Sequence, residues 1–294
     1  MKHLFIVNPA AGKGKGMQYI TEIKSLLEGK ADYCIKITEK KGQATEIVKQ
    51  YTSKDDYIVY AIGGDGTINE VVNGMVGSGS SLAIIPAGSG NDFIKTIYPK
   101  YNKGELLHKL LNGRTECIDL VKINEKYFLN IVSVGVDAEV AFNAIAFKKM
   151  KYIKGEAAYL MSIFKTLCSY KSTQFKVILD GKQTCDKKIL LLAVANGRFY
   201  GGGIPIAPHA KVNDAKADIC LVKELKFGKI LTIIPKLFKA KHEEAEEVEV
   251  YRANQIEIES AELFRVNIDG EIVTANKVNM QVMPQAIQIV IPAS

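Results

Sequence analysis

Apolar positions along the chain fall into two textures. Over residues 1–120, short apolar runs alternate with helical periodicity. Leu4 to Val7, Tyr33 to Ile37, Tyr57 to Ile62 and Leu82 to Ile85 have the length and β-branched content of buried strands. Between them, three sets of apolar residues recur at helical spacing: Met17, Ile20, Ile23, Leu26 and Leu27; Ala44, Ile47, Val48 and Tyr51; Ile68, Val71, Val72 and Met75. A further helix is predicted around Leu106, Leu107, Leu110 and Leu111, closed by Gly113. Repeated strand–loop–helix units predict a parallel sheet with its loops gathered at the strands' C-terminal ends. A ligand crevice belongs there.

Beyond residue 120 the pattern reads as strands with few helices: Ile118 to Ile123, Tyr127 to Val134, Phe175 to Leu179, Ile189 to Ala195, Ile219 to Val222, Ile256 to Ser260 and Phe264 to Ile268. Two helical stretches interrupt it, Ala141 to Tyr170 and Ile230 to Ala240. The expected organisation is an α/β domain over 1–120 and a β-rich domain over 121–283. A terminal strand from Gln285 to Pro292, in a tail over 284–294, is expected to return to the first domain.

With 294 residues and 47% hydrophobic content, the chain can bury a substantial core. No apolar run approaches the roughly 20 residues that span a bilayer, and the N-terminus reads as a strand rather than a signal peptide. Five scattered cysteines without metal-ligand spacing read as buried free thiols of a reducing compartment. A net charge of +7 suits nucleotides, anionic membranes or nucleic acid without choosing among them.

Candidate chemistry centres on Ile62-Gly63-Gly64-Asp65-Gly66-Thr67-Ile68-Asn69-Glu70-Val71-Val72-Asn73-Gly74. A strand, a glycine turn and a helix N-terminus make an anion site, because free N–H groups of the first turn point at a phosphate. Thr67 and Glu70 have the spacing of a capping box, which Ser89 and Asp92 repeat. Asp65 has no such explanation. A carboxylate beside a phosphate handles a metal or a proton. The loop Asn8 to Gly16 is neither a P-loop nor Gly-x-Gly-x-x-Gly, yet Lys13 and Lys15 at a helix start are reasonable phosphate contacts. Asp269-Gly270 after a strand reads, taken alone, as a hairpin turn. Lys148 to Lys171 and Lys223 to His242 each hold six lysines against one glutamate, among apolar residues. Such basic amphipathic segments pack on their own domain or dock to a membrane, and the sequence leaves both open.

In order and spacing, these motifs resemble the diacylglycerol-kinase catalytic superfamily, particularly its soluble bacterial lipid-kinase branch. The carriers are Asn8-Pro9-x-x-Gly12, the Gly63 to Gly74 series, Pro86-x-Gly88-Ser89-x-Asn91-Asp92-Phe93, Gly135-x-Asp137-Ala138, Asn196-Gly197 with Gly201-Gly202-Gly203, and Asp269-Gly270-Glu271. The resemblance implies a phosphofructokinase- and NAD-kinase-like parallel α/β domain, a β-sandwich-like lipid-acceptor domain, and a nucleotide cleft between them. It implies an ATP site lined by Asn8, Pro9, Ala10, Ala11, Gly12, Thr38, Gly64, Asp65, Gly66, Thr67, Ile68, Asn69, Glu70 and Ser89, with Gly201 to Gly203 letting backbone approach the cleft. Asp65 would hold Mg²⁺, and Glu271 would accept the acceptor's proton, with Asp269 beside it. A second, structural Mg²⁺ would take Asp214 and the carbonyls of Lys211 and Lys216. Ala215 stands there where the family usually has glycine, which strains the site if φ is positive. His209 reads as a surface residue.

The expected activity is ATP- and Mg²⁺-dependent phosphorylation of a lipid hydroxyl, diacylglycerol to phosphatidic acid or a related membrane lipid, in phospholipid synthesis. The expected location is cytoplasmic, peripheral at the inner face of the membrane, with no nucleic-acid partner and a homodimer left open. Two rivals stand beside this: an NAD kinase-like enzyme with a soluble acceptor, and a non-catalytic nucleotide- or lipid-binding regulator.

Overall fold

The computed structural model describes residues 2–148, 165–167 and 169–293. Four parallel strands, β1 (Lys2–Val7), β2 (Tyr33–Ile37), β3 (Tyr57–Gly63) and β4 (Ser81–Pro86), stand in the order β2-β1-β3-β4. Helices α1 (Lys15–Leu27), α2 (Gln43–Thr52), α3 (Asp65–Met75) and α4 (Asp92–Ile97) follow them in turn, and then comes α5 (Leu106–Leu111). The strands β1, β3 and β4 are buried almost end to end, as in a parallel sheet covered on both faces. Strand order reverses between β1 and β3, so the loops after those strands border a crevice at their C-terminal ends.

The second half is antiparallel: β5 (Arg114–Ile123), β6 (Lys126–Phe128), β7 (Ile131–Gly135), β8 (Thr173–Leu179), β9 (Lys182–Ala195), β10 (Ala217–Lys223), β11 (Val248–Ala253), β12 (Gln255–Ile268) and β13 (Glu271–Ile291). The long strand β12 changes partners at a register shift, pairing β8 over Ile256 to Glu259 and β7 over Val266 to Ile268. That bend folds the strands around one core that includes Phe175, Val177, Ile258 and Val278. A second apolar layer, with Leu191, Ala193, Cys220, Ile230 and Ile233, lies between the other face and α7 (Phe227–Phe238). The expected α/β plus β-sandwich-like architecture is what the chain adopts. Strand β13 ties the halves together: Gln288 and Ile289 pair parallel to Ser81 and Leu82 of β4, while Met280 to Ile291 run antiparallel to β5.

Several boundaries differ from the apolar pattern. Tyr127 to Val134 is two strands rather than one, because the N–H groups of Leu129 and Asn130 leave the ladder for the Asp269 carboxylate. The runs at 256–260 and 264–268 are one bulged strand. The terminal strand is only the end of β13, whose first half was masked by polar residues facing out. Edge strand β11 alternates charge with apolar residues and gave no clear signal. Helix α6 (Val136–Lys148) starts five residues before Ala141, released by Gly135 at φ +94°. The remainder of that predicted helix, 149–164 and Cys168, lies outside the described residues, and with it most of the first lysine-rich segment. Cys185 and Cys220 are buried as expected, but Cys117 on β5 is exposed.

Candidate active site

Three glycine turns meet above β1, β3 and β4. Gly12, at φ +56°, lies so close to the next turn that a Cβ would sit 1.9 Å from the Ala87 carbonyl oxygen. A Cβ on Gly88 would meet the Gly64 Cα at 2.5 Å, so the turns after β3 and β4 touch backbone to backbone. Only glycine permits that approach. Asn8 joins the first turn to the second: its Nδ2 donates to Thr67 Oγ1 at 2.9 Å while its Oδ1 accepts the Ala10 N–H at 3.0 Å. Thr38, at the end of β2, is buried and bonded through N and Oγ1 to the Val7 carbonyl. Pro9, Ala10 and Ala11 edge the crevice, and Ser89 is exposed at the β4 turn. Ile68 is in the core, leaving only its backbone for a ligand.

The two expected capping boxes do not form. Helix α3 starts at an N-cap Gly64 with no side-chain cap, and α4 at Asn91 likewise. The carboxylates reach other helices instead. Glu70 accepts the N–H groups of Gly42 at 2.9 Å and Ala44 at 3.2 Å, closing the start of α2. Asp65 Oδ1 accepts the Asp92 N–H at 3.0 Å at the start of α4. Spacing within one helix could not reveal partners in the neighbouring ones. Asp65 is largely buried and has a raised carboxyl pKa: burial pushes it up, the nearby Asp92 carboxylate adds to this, and the backbone N–H groups of 91–93 oppose it. Asp92 in turn binds Lys95 Nζ at 2.7 Å and the Gly202 N–H at 2.8 Å, drawing the Gly201 to Gly203 turn to the cleft.

Helix α3 also faces the second half of the chain. Asn73 pairs with the backbone of Tyr127 on β6, donating to its carbonyl at 2.8 Å and accepting its N–H at 2.9 Å. Asn69 Nδ2 donates to Asp269 Oδ2 at 3.0 Å. Asp269 and Gly270, at φ +46° and +92°, form the two-residue turn between β12 and β13. The enclosed Asp269 carboxylate also accepts N–H groups of Leu129 at 3.0 Å and Ile131 at 2.8 Å. Burial pushes its pKa up, and these donors pull it back. Asp269 is thus a strut. Asp65, Asn69, Asn130 and Asp269 together line a void of about 10 Å³, the room of roughly one water.

Glu271, next on the same hairpin, is partly exposed and lies between two ammonium groups. Lys41 Nζ is 2.6 Å from Oε1, and Lys126 Nζ is 3.3 Å from Oε2. Hydrogen bonding to Lys41 is the main cause that lowers its pKa. Neither lysine stood out in the sequence, because Lys41, beside Lys40 in its loop, and Lys126 on β6 belong to no motif.

Asp214, expected at a second metal, is engaged by other partners. Asp214 is the ion partner of Arg252, and its other oxygen accepts the Lys216 N–H at 3.3 Å. That pair engages the one anionic group of the set, beside the neutral carbonyl oxygens of Lys211 and Lys216. Buried Asp119 holds the segment instead, accepting the Ala215 N–H at 2.7 Å and that of Gln285 at 2.8 Å. Ala215 does adopt φ +60°. His209 is exposed beside Glu243.

Under α7 an apolar cavity of about 180 Å³ is lined by Leu191, Ile204, Ile233 and Leu237, with Asp137 and His242 as polar points. Asp137 accepts from Ser133 Oγ and from Asn267 Nδ2. Tyr200 and Ile204 of its wall flank the glycine turn that Asp92 holds.

Comparison with known proteins matches both halves. Residues 2–123 fit the diacylglycerol kinase catalytic domain, and 130–291 fit the YegS C-terminal NAD kinase beta sandwich-like domain. The diacylglycerol kinase of Bacillus subtilis is 27% identical over 271 residues, 90% of this chain and 88% of that protein. A crystal structure of a diacylglycerol kinase from Bacillus anthracis superposes with a TM-score of 0.74 at 27% identity, over 99% of this chain and 96% of that one. An NAD kinase from Archaeoglobus fulgidus in complex with ATP, at 14% identity and a TM-score of 0.54, shares the fold over 98% of this chain and 93% of its own.

Proposed function

This chain belongs to the diacylglycerol kinase catalytic domain family, and we propose that it transfers the γ-phosphoryl group of ATP to the hydroxyl of diacylglycerol at a membrane surface. The observation that carries this reading is the joint at Asn69 and Asp269. It fixes the hairpin bearing Glu271 against the helix that begins at Asp65, so a base and a phosphate-side carboxylate belong to one cleft.

The glycine turns with Asn8, Thr38 and the start of α3 receive the nucleotide, where backbone N–H groups and the helix dipole favour phosphate. Asp65, beside a second carboxylate at the edge of the glycine turns, is suited to hold Mg²⁺, whose charge would offset that of the phosphates. Glu271 takes the proton of the acceptor hydroxyl as the new O–P bond forms and the bond to ADP breaks. The apolar cavity beyond the Gly201 to Gly203 turn suits an acyl chain, which favours a lipid over a soluble acceptor. Outside it, α7 shows exposed Leu231 and Phe238 among lysines, the combination for reversible docking to an anionic surface.

The test is incubation with radiolabelled ATP and a total lipid extract, with mass spectrometry of the labelled product. Labelled phosphatidic acid is expected. Label appearing only in a water-soluble product would overturn the lipid reading, and no transfer to any acceptor would favour a regulator.

A further inference from the structure

The ammonium groups on Glu271 pose a problem for the proposed reaction. A general base works best with a pKa near the working pH, yet two lysines hold Glu271 below the usual carboxylate range. They come from opposite sides of the cleft, Lys41 from the loop before α2 and Lys126 from β6. Those are the charged groups that face Glu271; its neighbour Asp269 points away into backbone N–H groups. Both lysine side chains are largely exposed, 76% and 60%, so nothing packs them against the glutamate.

We propose that Lys41 and Lys126 are ligands of the transferred phosphoryl group, and that Glu271 occupies them until nucleotide arrives. This rests on Glu271 being the base. If it is, the acceptor oxygen lies about 3 Å from its carboxylate and about 3–3.5 Å from the phosphorus. The γ-phosphate oxygens are then within the sweep of two flexible four-carbon stems. A phosphate of higher charge draws the ammonium groups off the carboxylate. The same movement neutralises phosphate and restores basicity to Glu271. Nucleotide binding thereby arms the base, and the resting enzyme keeps it weak.

The experiment compares wild type with Lys41→Met, Lys126→Met and the double variant, using dioleoylglycerol in neutral detergent micelles. ATP affinity is measured separately by titration with a fluorescent ATP analogue. The acid limb of kcat/KM for ATP reports the free enzyme, and that of kcat the nucleotide complex. In wild type the kcat limb is expected at higher pH than the kcat/KM limb. In the double variant the kcat/KM limb should rise to meet it. Nucleotide Kd should weaken about tenfold or more for the loss of charge-assisted hydrogen bonds, and Lys→Arg replacements should restore most of it.

Coincident limbs in wild type, or a double variant that binds nucleotide as tightly as wild type, would overturn the partner exchange. Glu271→Gln is run alongside. If it keeps full activity, the base assignment has failed. If it is inactive while the lysine variants behave as wild type, only the lysine inference has failed.

Discussion

Asn69 Nδ2 and Asp269 Oδ2 meet at 3.0 Å, a hydrogen bond between residues 200 positions apart. The donor belongs to the helix that follows the glycine turn after β3, and the acceptor to the hairpin that carries Glu271. Asp269 therefore holds the two elements at a fixed distance, and in the proposed reaction it acts through Glu271 as a positioning residue.

Replacing Asp269 tests this directly. Asp269→Ala leaves the buried N–H groups of Leu129 and Ile131 and the amide of Asn69 without an acceptor. Each such donor costs about 1–3 kcal/mol, so the expected loss of stability in urea unfolding is about 3 kcal/mol or more. Asp269→Asn should recover part of it. A variant as stable as wild type would contradict the strut.

Asp65 has a structural role and, in the proposed reaction, a chemical one, and two substitutions separate them. Asp65→Ala removes the acceptor at the start of α4 and should cost about 1 kcal/mol of stability. Asp65→Asn keeps an oxygen there but loses the charge. Its unfolding should stay near wild type while kcat falls about a hundredfold or more. Activity within a few-fold of wild type in the Asn variant would remove Asp65 from the chemistry.

The four parallel strands and the glycine turns were legible because both signals are local. Buried strands read as apolar runs, and close backbone approach demands glycine. What was not legible depends on distant partners. Glu70 caps α2 rather than its own helix, and Asp269 breaks a strand from across the cleft. Lys41, Lys126 and Asp119 meet their carboxylate or backbone partners only once the halves close. Arg252 is equally silent in sequence, and it pairs with the Asp214 carboxylate.

A pH effect on stability follows from His242. It is buried, with Nε2 3.0 Å from the Ile206 carbonyl oxygen, and burial lowers its pKa below the ordinary 6.5. His3 shifts the same way, also through burial. A histidine with a depressed folded pKa takes its proton first in the unfolded state. Stability should be full above about pH 7 and fall as pH drops through the unfolded pKa, until the folded pKa is reached. His242→Gln, whose amide can still donate to Ile206, should flatten part of that slope in urea titrations between pH 5 and 7.5. An unchanged slope would mean His242 does not titrate on unfolding.

Ala215 offers a gain. A non-glycine residue in the left-handed region costs about 1–2 kcal/mol, and Ala215 sits at φ +60°. Glycine relieves that but adds about 0.4–1 kcal/mol of unfolded-chain freedom. Ala215→Gly should therefore stabilise by up to about 1.5 kcal/mol, read as a higher urea midpoint at unchanged slope. A lower midpoint would show that the alanine methyl group contributes packing that outweighs the strain.

In the proposed reaction, the exposed face of α7 brings the cleft to its acceptor. Ile230, Ile233 and Leu237 turn inward onto the apolar layer, while Leu231 and Phe238 are 53% and 63% exposed. Lys226, Lys236, Lys239 and Lys241 surround them, all exposed. No described helix is long and apolar enough to cross a membrane. On the proposed reading, contact with a lipid acceptor comes from partial insertion of apolar side chains and from charge. Each lysine near an anionic surface contributes about 1 kcal/mol, an attraction that salt screens. Leu231→Ser with Phe238→Ser should lower turnover on phosphatidylglycerol-containing vesicles several-fold while sparing it on detergent-dispersed diacylglycerol. Lys236→Gln with Lys239→Gln should do the same, with the difference vanishing in high salt. Because these side chains are exposed, neither pair should shift the unfolding midpoint. Equal loss in vesicles and detergent would place α7 in support of the acyl cavity rather than at the membrane. No loss in either would put the docking face on another part of the molecule.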